Sequence, residues 1–479
     1  MNLRTAFSAV GVALLGALTT ADDAETPSAP LILSGSGTTN PSKCFWHIMS
    51  QMQAQIKGVA KLSYRAVGSG TGIKEFLGKD IEYPNGTTIS NYEAWNDFGA
   101  GDIPISAEDK KEWNDKGYDF VQLPFVLSAV SFFHSIPGVP SGERGLNMTA
   151  CLLSRVFQRD ITTWDHPDIL NINPGLNVAK DYPIYVGRRV LGSSSTYSIT
   201  HYLYAQCPQP ENPDGWPEDK QDSKIEWHPE THECDGSGPM VECIETHLGA
   251  IGYIDAAHGH EAMLNEIRLR NGDGVFLTTK EAGDAGVQAA AEDLSKVPSS
   301  ADGDFSNVAY YNEPGANTWP ISLVSYVYIR KDLDFIKDPA RRSLLKAFAT
   351  ALFDPDYIGE CARYGHIPVP PKVRDLSLNG LEMLELDGTP EWTFEDSTDP
   401  GWGQGDYVIS KKRKTFMMYE MDRLGDDAKP IAEDIRQLKL EMASLKAGTG
   451  TYSSAASLRS GLALGLGAAV MGGALILGL

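Results

Sequence analysis

Positive charge is scarce in this chain. Lys and Arg total 41 against 63 Asp and Glu, a formal net charge of -22, and the pI is about 4.8. A basic face is the electrostatic footprint of a nucleic-acid binder, so no nucleic-acid partner is expected. The same acidity offers no long-range attraction to an anion, and any anion site must win by local geometry. A phosphate loop ending in Gly-Lys-Ser/Thr is missing. Cysteine is sparse, six in 479 residues, and no set has standard zinc spacing. The nearest group, His228, His232, Cys234 and Cys243, lies in a Pro/Asp-rich segment. There a local Cys234–Cys243 bridge is preferred over a metal, and no cofactor is expected.

The first apolar run, Ala6 to Leu18, is too short to span a bilayer. It follows Met1-Asn2-Leu3-Arg4 and precedes the small residues Thr19-Thr20-Ala21. Residues 1–21 therefore read as a secretory signal peptide. At the other end, Gly461 to Leu479 is apolar and uncharged, after a small, polar stretch from Gly448 to Ser457. Residues 453–479 read as a glycosylphosphatidylinositol attachment signal, with the site near Ser453 or Ser454. A single transmembrane anchor is the alternative. No Lys or Arg follows the segment to hold a cytoplasmic end. Either reading puts the protein in the secretory pathway, at the outer face of the plasma membrane. Cys44, Cys151, Cys207, Cys234, Cys243 and Cys361 all fall between these ends, and an even count in an exported chain suggests disulfides. Asn85 and Asn147 head Asn-x-Thr sequons and are the glycosylation candidates.

A strand, a Gly/Ser/Thr turn and a helix recur three times, near residues 35, 68 and 192. The third unit is the most informative. An apolar segment from Tyr182 to Val186 passes through Gly187 to Thr196 into a helix-like stretch, Tyr197 to Ala205. Hydroxyl residues at a helix start aim N–H groups and the positive end of the dipole at one spot. Arg189 can bring a guanidinium fork there. Taken alone, Ser193 to Ser195 would be an ordinary helix cap. Between the second and third units, Phe98 to Ile103 puts Asp102 at the end of a short strand, and open α/β sheets bind ligands at that edge.

Apolar strands are expected at Val121 to Phe133, Leu248 to Ile254 and Trp319 to Ile329, with helices from Leu333 to about Tyr364. Alternation of strands and helices gives an α/β class. Residues 208–242 look like a surface insertion. Beyond residue 395 come the basic run Lys411-Lys412-Arg413-Lys414, read as a solvated face, and a short heptad stripe at Ile431, Ile435, Leu438, Met442 and Leu445.

Four motifs stand in one order: Gly35-x-Gly37-x-Thr39-x-Pro41, Gly68-Ser69-x-x-Gly72, Phe98-Gly99-Ala100-x-Asp102 and Arg188-Arg189-x-x-Gly192-Ser193. The set resembles the phosphate-binding proteins of bacterial ABC phosphate transporters, which are type II periplasmic binding proteins. It covers roughly residues 31 to 370. The resemblance implies an α/β, two-lobed periplasmic-binding-protein-like fold, here with a C-terminal helical stalk and hydrophobic tail, as a eukaryotic membrane-anchored form. Lobe one would be 31–126 and 319–395, lobe two 127–318, and 396–452 the extension. Carried over, the phosphate contacts are Thr39, Asn40, Ser69, Asp102, Arg189, Ser193, Ser194 and Ser195. Leu191 replaces an Asp that pairs with the binding Arg in the family. On this layout Cys44 and Cys361 share lobe one and the other four cysteines share lobe two, so pairing within lobes is expected.

The implied role is capture of inorganic phosphate for uptake, with the membrane and a phosphate transporter as partners and no catalysis. A secreted phosphatase-like hydrolase on the same fold is the alternative. Asp102 suits the first role because an ionised carboxylate only accepts hydrogen bonds. It can take the proton that phosphate carries and sulfate at neutral pH does not.

Overall fold

The computed structural model describes residues 30–82, 86–89, 96–142, 145–291, 293–386, 391–395, 405–420 and 423–424. The signal segment, Asn85, the heptad stripe and the apolar tail lie outside them. The chain divides into two units, residues 1–413 and 414–479, and the fold below is that of the first. Among the described residues, no helix is long and apolar enough to cross a membrane.

Eight strands carry the argument: β1 (Leu31–Gly37), β2 (Ala60–Ala66), β3 (Phe98–Gly101), β4 (Phe120–His134), β5 (Tyr185–Arg188), β6 (His232–Glu233), β7 (Ala250–Asp255) and β8 (Ile321–Arg330). They run in the order β2-β1-β3-β8-β4-β7-β5-β6, and three short strands join off this path. The β2-β1-β3 and β7-β5-β6 groups are parallel inside. Antiparallel pairs with β8 and β4 join them.

Strand β4 is the spine. All fifteen of its residues are buried, which suits a near-continuous apolar run covered on both faces. Its first part pairs with β8 up to Ala129, and its last five residues pair with β7. Val121, Leu123, Phe125 and Val126 pack in one core with Leu33, Phe45, Phe98 and Phe348. Leu127, Val130 and Phe132 pack in another with Leu153, Ile199, Tyr202 and Tyr253. Residues of one strand thus enter both cores, and Phe120 at its start packs with the second. The β4–β8 register slips between Ser325 and Tyr326, opposite Val126 and Pro124. Proline has no N–H to give a ladder and is tolerated at such a bulge. The extra residue is Phe125 on β4, and Ser325 stands on the facing strand at the slip.

Five helices follow the strands that matter: α1 (Ser42–Gln55), α2 (Ser69–Leu77), α3 (Ser194–Gln206), α4 (Ser237–Thr246) and α5 (Ala256–Glu261). The segment 208–242, expected as a surface insertion, therefore ends in β6 and the first turns of α4. The basic run is largely ion-paired rather than a free solvated face. Lys411 pairs with Asp354 and Asp356, and Lys412 with Glu395. At the second sequon, the Asn147 Nδ2 donates to the Ile172 carbonyl and its Oδ1 is buried.

Disulfides join Cys44 to Cys361, Cys151 to Cys207 and Cys234 to Cys243. The last takes both sulfurs of the His/Cys group away from any metal. Cys44–Cys361 closes a separation of 317 residues and Cys234–Cys243 one of 9. A cross-link restrains the unfolded chain more as its loop lengthens. Replacing Cys44 and Cys361 by Ser should lower the unfolding free energy by about 2–5 kcal/mol, read from the denaturant midpoint. Replacing Cys234 and Cys243 should cost less. Equal losses would contradict the loop-length argument.

Candidate anion-binding site

The site begins where β1 and β3 end side by side. Backbones approach closely there. A Cβ on Gly37 would lie 1.8 Å from the Ala100 carbonyl oxygen, and one on Gly72 would lie 2.3 Å from the Gly37 Cα. Across the cleft, a Cβ on Gly70 would lie 2.9 Å from the Gly192 Cα. These glycines let the start of α2 seat against the turn before α3.

Asp102 follows β3 directly and is 4% exposed. Its Oδ2 accepts from Thr38 Oγ1 at 2.5 Å and from Ser194 Oγ at 2.8 Å. Its Oδ1 accepts from Ser325 Oγ at 2.6 Å, and its N–H donates to Ser69 Oγ at 3.1 Å. Burial, reinforced by the nearby Asp255 charge, raises its pKa from 3.8 to about 6 against the pull of these hydroxyls.

Arg189 follows β5 and is 6% exposed. Its backbone N–H donates to the Tyr253 hydroxyl at 3.1 Å, which also meets Thr196 Oγ1 at 2.8 Å. Among the described residues its Nε has no hydrogen-bond partner. Burial pulls its pKa down, opposed by Asp255 first, then Tyr253 and Asp235. Ser193 caps α3 from an extended backbone conformation (φ -134°, ψ 133°), its Oγ accepting from the Thr196 N–H. Its own N–H goes to the Ser223 carbonyl at 3.0 Å, which leaves the hydroxyl proton to give. Ser194 and Ser195 occupy the first turn of α3 and are buried.

A family model described as a PBP superfamily domain matches residues 24–356. The chain belongs to the PBP superfamily. It is 25% identical over 369 residues to a phosphate-binding protein, PstS, of Xylella fastidiosa, covering 76% of this chain and 88% of that one. A human phosphate-binding apolipoprotein superposes with a TM-score of 0.53 at 17% identity, over 75% of this chain and 100% of that one. A phosphate-binding protein from Stenotrophomonas maltophilia superposes with 0.51 at 17% identity, over 73% and 93%. These two structural likenesses bear on the fold alone.

Within this PBP-superfamily chain, the motif residues Ser69, Asp102 and Ser194 are joined by hydrogen bonds. Thr39 is half-buried, its Oγ1 3.2 Å from Ser237 Oγ. The Asn40 amide is engaged elsewhere, Nδ2 donating to Ser128 Oγ at 2.6 Å, and its N–H donates to Thr38 Oγ1 at 3.2 Å. The motif reading passed over Thr38, Ser237, Tyr253, Asp255 and Ser325. Asp255 carried the same signal as Asp102, a carboxylate closing a buried strand.

The sign of the Asp102 effect is testable. A raised folded-state pKa contributes stability that is complete below 3.8 and is lost as pH rises through about 6. In ligand-free protein, Asp102→Asn removes that dependence. Its stability relative to wild type should improve by roughly 1–3 kcal/mol between acid and alkaline conditions. Denaturant titrations at pH 4.5 and pH 8 measure the gap. A variant that loses stability relative to wild type toward alkaline pH would reverse the assignment.

Proposed function

We propose that this chain captures inorganic phosphate between two lobes at the outer face of a membrane and holds it for uptake. Lobe one is read as 31–126 with 319–395, and lobe two as 127–318. The proposed contacts are Thr39, Asn40, Ser69, Asp102, Arg189, Ser193, Ser194 and Ser195. One observation carries the reading: Ser194, in the first turn of α3, reaches the buried, acceptor-only Asp102, and Arg189, just ahead of that turn, is buried with an Nε that has no hydrogen-bond partner among the described residues. The helix start and Arg189 supply donors and positive potential for a tetrahedral oxyanion. Asp102 supplies discrimination, because an anion without a proton would set a bare oxygen against a carboxylate in a dry cleft. The similarity to phosphate-binding proteins supports the same ligand. The signal segment, the disulfides and the terminal apolar tail support an exported protein anchored at its C-terminus, passing phosphate to a transporter.

Calorimetry with phosphate, sulfate and a chromogenic phosphate ester tests the reading. Phosphate should bind, sulfate should not, and the ester should not be hydrolysed. Arg189→Met should weaken phosphate on the order of 100-fold or more, about 3 kcal/mol. Asp102→Asn should weaken phosphate and relax the rejection of sulfate. Steady turnover of the ester, lost in Arg189→Met, would favour a hydrolase instead.

A further inference from the structure

Asp255 is a second carboxylate in the cleft. It closes β7 and is 2% exposed. Hydroxyls link it to Asp102 in a ring around the start of α3. Ser194 Oγ donates to Asp102 Oδ2, and the next residue, Ser195, donates to Asp255 Oδ1 at 3.4 Å. Ser237, in the first turn of α4, donates to Asp255 Oδ2 at 3.3 Å and meets Thr39 Oγ1 at 3.2 Å. Thr38, beside Thr39 in the chain, returns to Asp102 at 2.5 Å. Two carboxylates therefore flank one helix start. The bonds to Asp102 are short, 2.5 to 2.8 Å, whereas those to Asp255 are 3.3 and 3.4 Å. Asp255 keeps the greater unused acceptor capacity. Among carboxylates, Asp255 acts most strongly on the buried Arg189 guanidinium. Its Nε is unpartnered, and among the described residues no carboxylate lies within ion-pair distance of it.

We propose that Asp255 is a second proton acceptor for the bound anion, so that the cleft selects monobasic phosphate, the form carrying two protons. This rests on the phosphate reading above and sharpens it. Two carboxylates and one guanidinium already leave the site one negative charge in excess. Dibasic phosphate adds two more and has one O–H for two acceptors, so one carboxylate faces a bare oxygen. Monobasic phosphate adds one charge and gives each carboxylate its own charge-assisted O–H···O bond. The serines and the α3 N–H groups remain for the other two oxygens. Above the second ionisation of phosphoric acid the dissolved anion is mainly dibasic. Binding then takes one proton from the buffer: dibasic phosphate plus a proton gives bound monobasic phosphate, with no other bond made or broken.

The charged and titratable groups around Asp255 are Arg189 after the paired strand β5, Asp102 after β3, Tyr253 on its own strand and His258 on α5. The His258 Nδ1 is 3.6 Å from Asp255 Oδ2, with Lys43, Glu261 and His366 beyond it. His258 is the rival proton acceptor, so the test includes it. Phosphate binding to the full chain is measured calorimetrically near pH 8 in two buffers of different ionisation heat. Wild type should take up about one proton per phosphate, and its affinity for total phosphate should fall about tenfold per pH unit above that ionisation. His258→Gln should keep the uptake, and Asp255→Asn should lose it and flatten the pH dependence. Should Asp255→Asn not fold, wild type and His258→Gln still decide. Binding without proton uptake overturns the proposal and leaves Asp255 as a counter-charge for Arg189. Uptake lost only in His258→Gln moves the proton to the imidazole. No phosphate binding at all defeats the phosphate reading itself.

Discussion

A carboxylate removed from water is the constraint on which this cleft depends. Burying an ionised Asp costs several kcal/mol unless hydrogen bonds repay it. The Asp102 carboxylate is repaid by hydroxyls from three separate segments, Thr38 after β1, Ser194 on α3 and Ser325 on β8, while Ser69 on α2 accepts from its backbone N–H. Each must arrive within about 3 Å, the usual range of a hydrogen bond, although they are spread over 287 residues from Thr38 to Ser325. The glycines at the β1, β3, α2 and α3 junctions are a consequence. Any side chain at Gly37, Gly70 or Gly72 would push one of these segments out of reach.

The sheet supplies the rest of the precision. Because β4 passes through both cores, the two halves share one rigid strand. The α3 start and the β3 end are placed by what pairs on either side of it. The ladder has one defect beside the site, Phe125 of β4 being the extra residue between Pro124 and Val126. The missing proline donor is accommodated by a register slip at Ser325, and the hydroxyl of that residue meets Asp102. The residue looks like one more small polar position in an apolar strand, and its role exists only through the pairing.

That difference explains what could be read from the sequence. The strands around Val121, Leu248 and Ile321 and the helix after Ser42 announce themselves by local pattern, and the structure has them within a few residues. Asp102 and Ser194 sit in or beside turns whose composition is itself unusual, so motif order pointed to the two residues that meet. Ser237 and Ser325 were not legible, because neither carries a local signature. The first hides at the end of a Pro- and Asp-rich stretch, the second inside a strand. Thr38 was eclipsed by its neighbour Thr39, and only the turn geometry decides which hydroxyl reaches the carboxylate. Asp255 was the avoidable omission, since strand-edge logic applied to it as fully as to Asp102.

The chain's acidity and the chemistry of its cleft belong to one problem. A body with a net charge of -22 repels an anion at distance, so affinity has to come from donors that act only at contact, in a space where water no longer screens them. Hydroxyls are well suited to that setting. Each can give its proton to a carboxylate or turn it to a ligand oxygen, while its own oxygen stays bonded to the backbone, as Ser69 does with the Asp102 N–H. Carboxylates then act as filters rather than attractors. They admit an anion in proportion to the protons it brings, because each proton converts a repulsive oxygen pair into a hydrogen bond. With Leu191 two residues on and no carboxylate in ion-pair distance among the described residues, Arg189 keeps an unpaired charge. Attraction and selection are thus divided between different groups, and either can change without rebuilding the other.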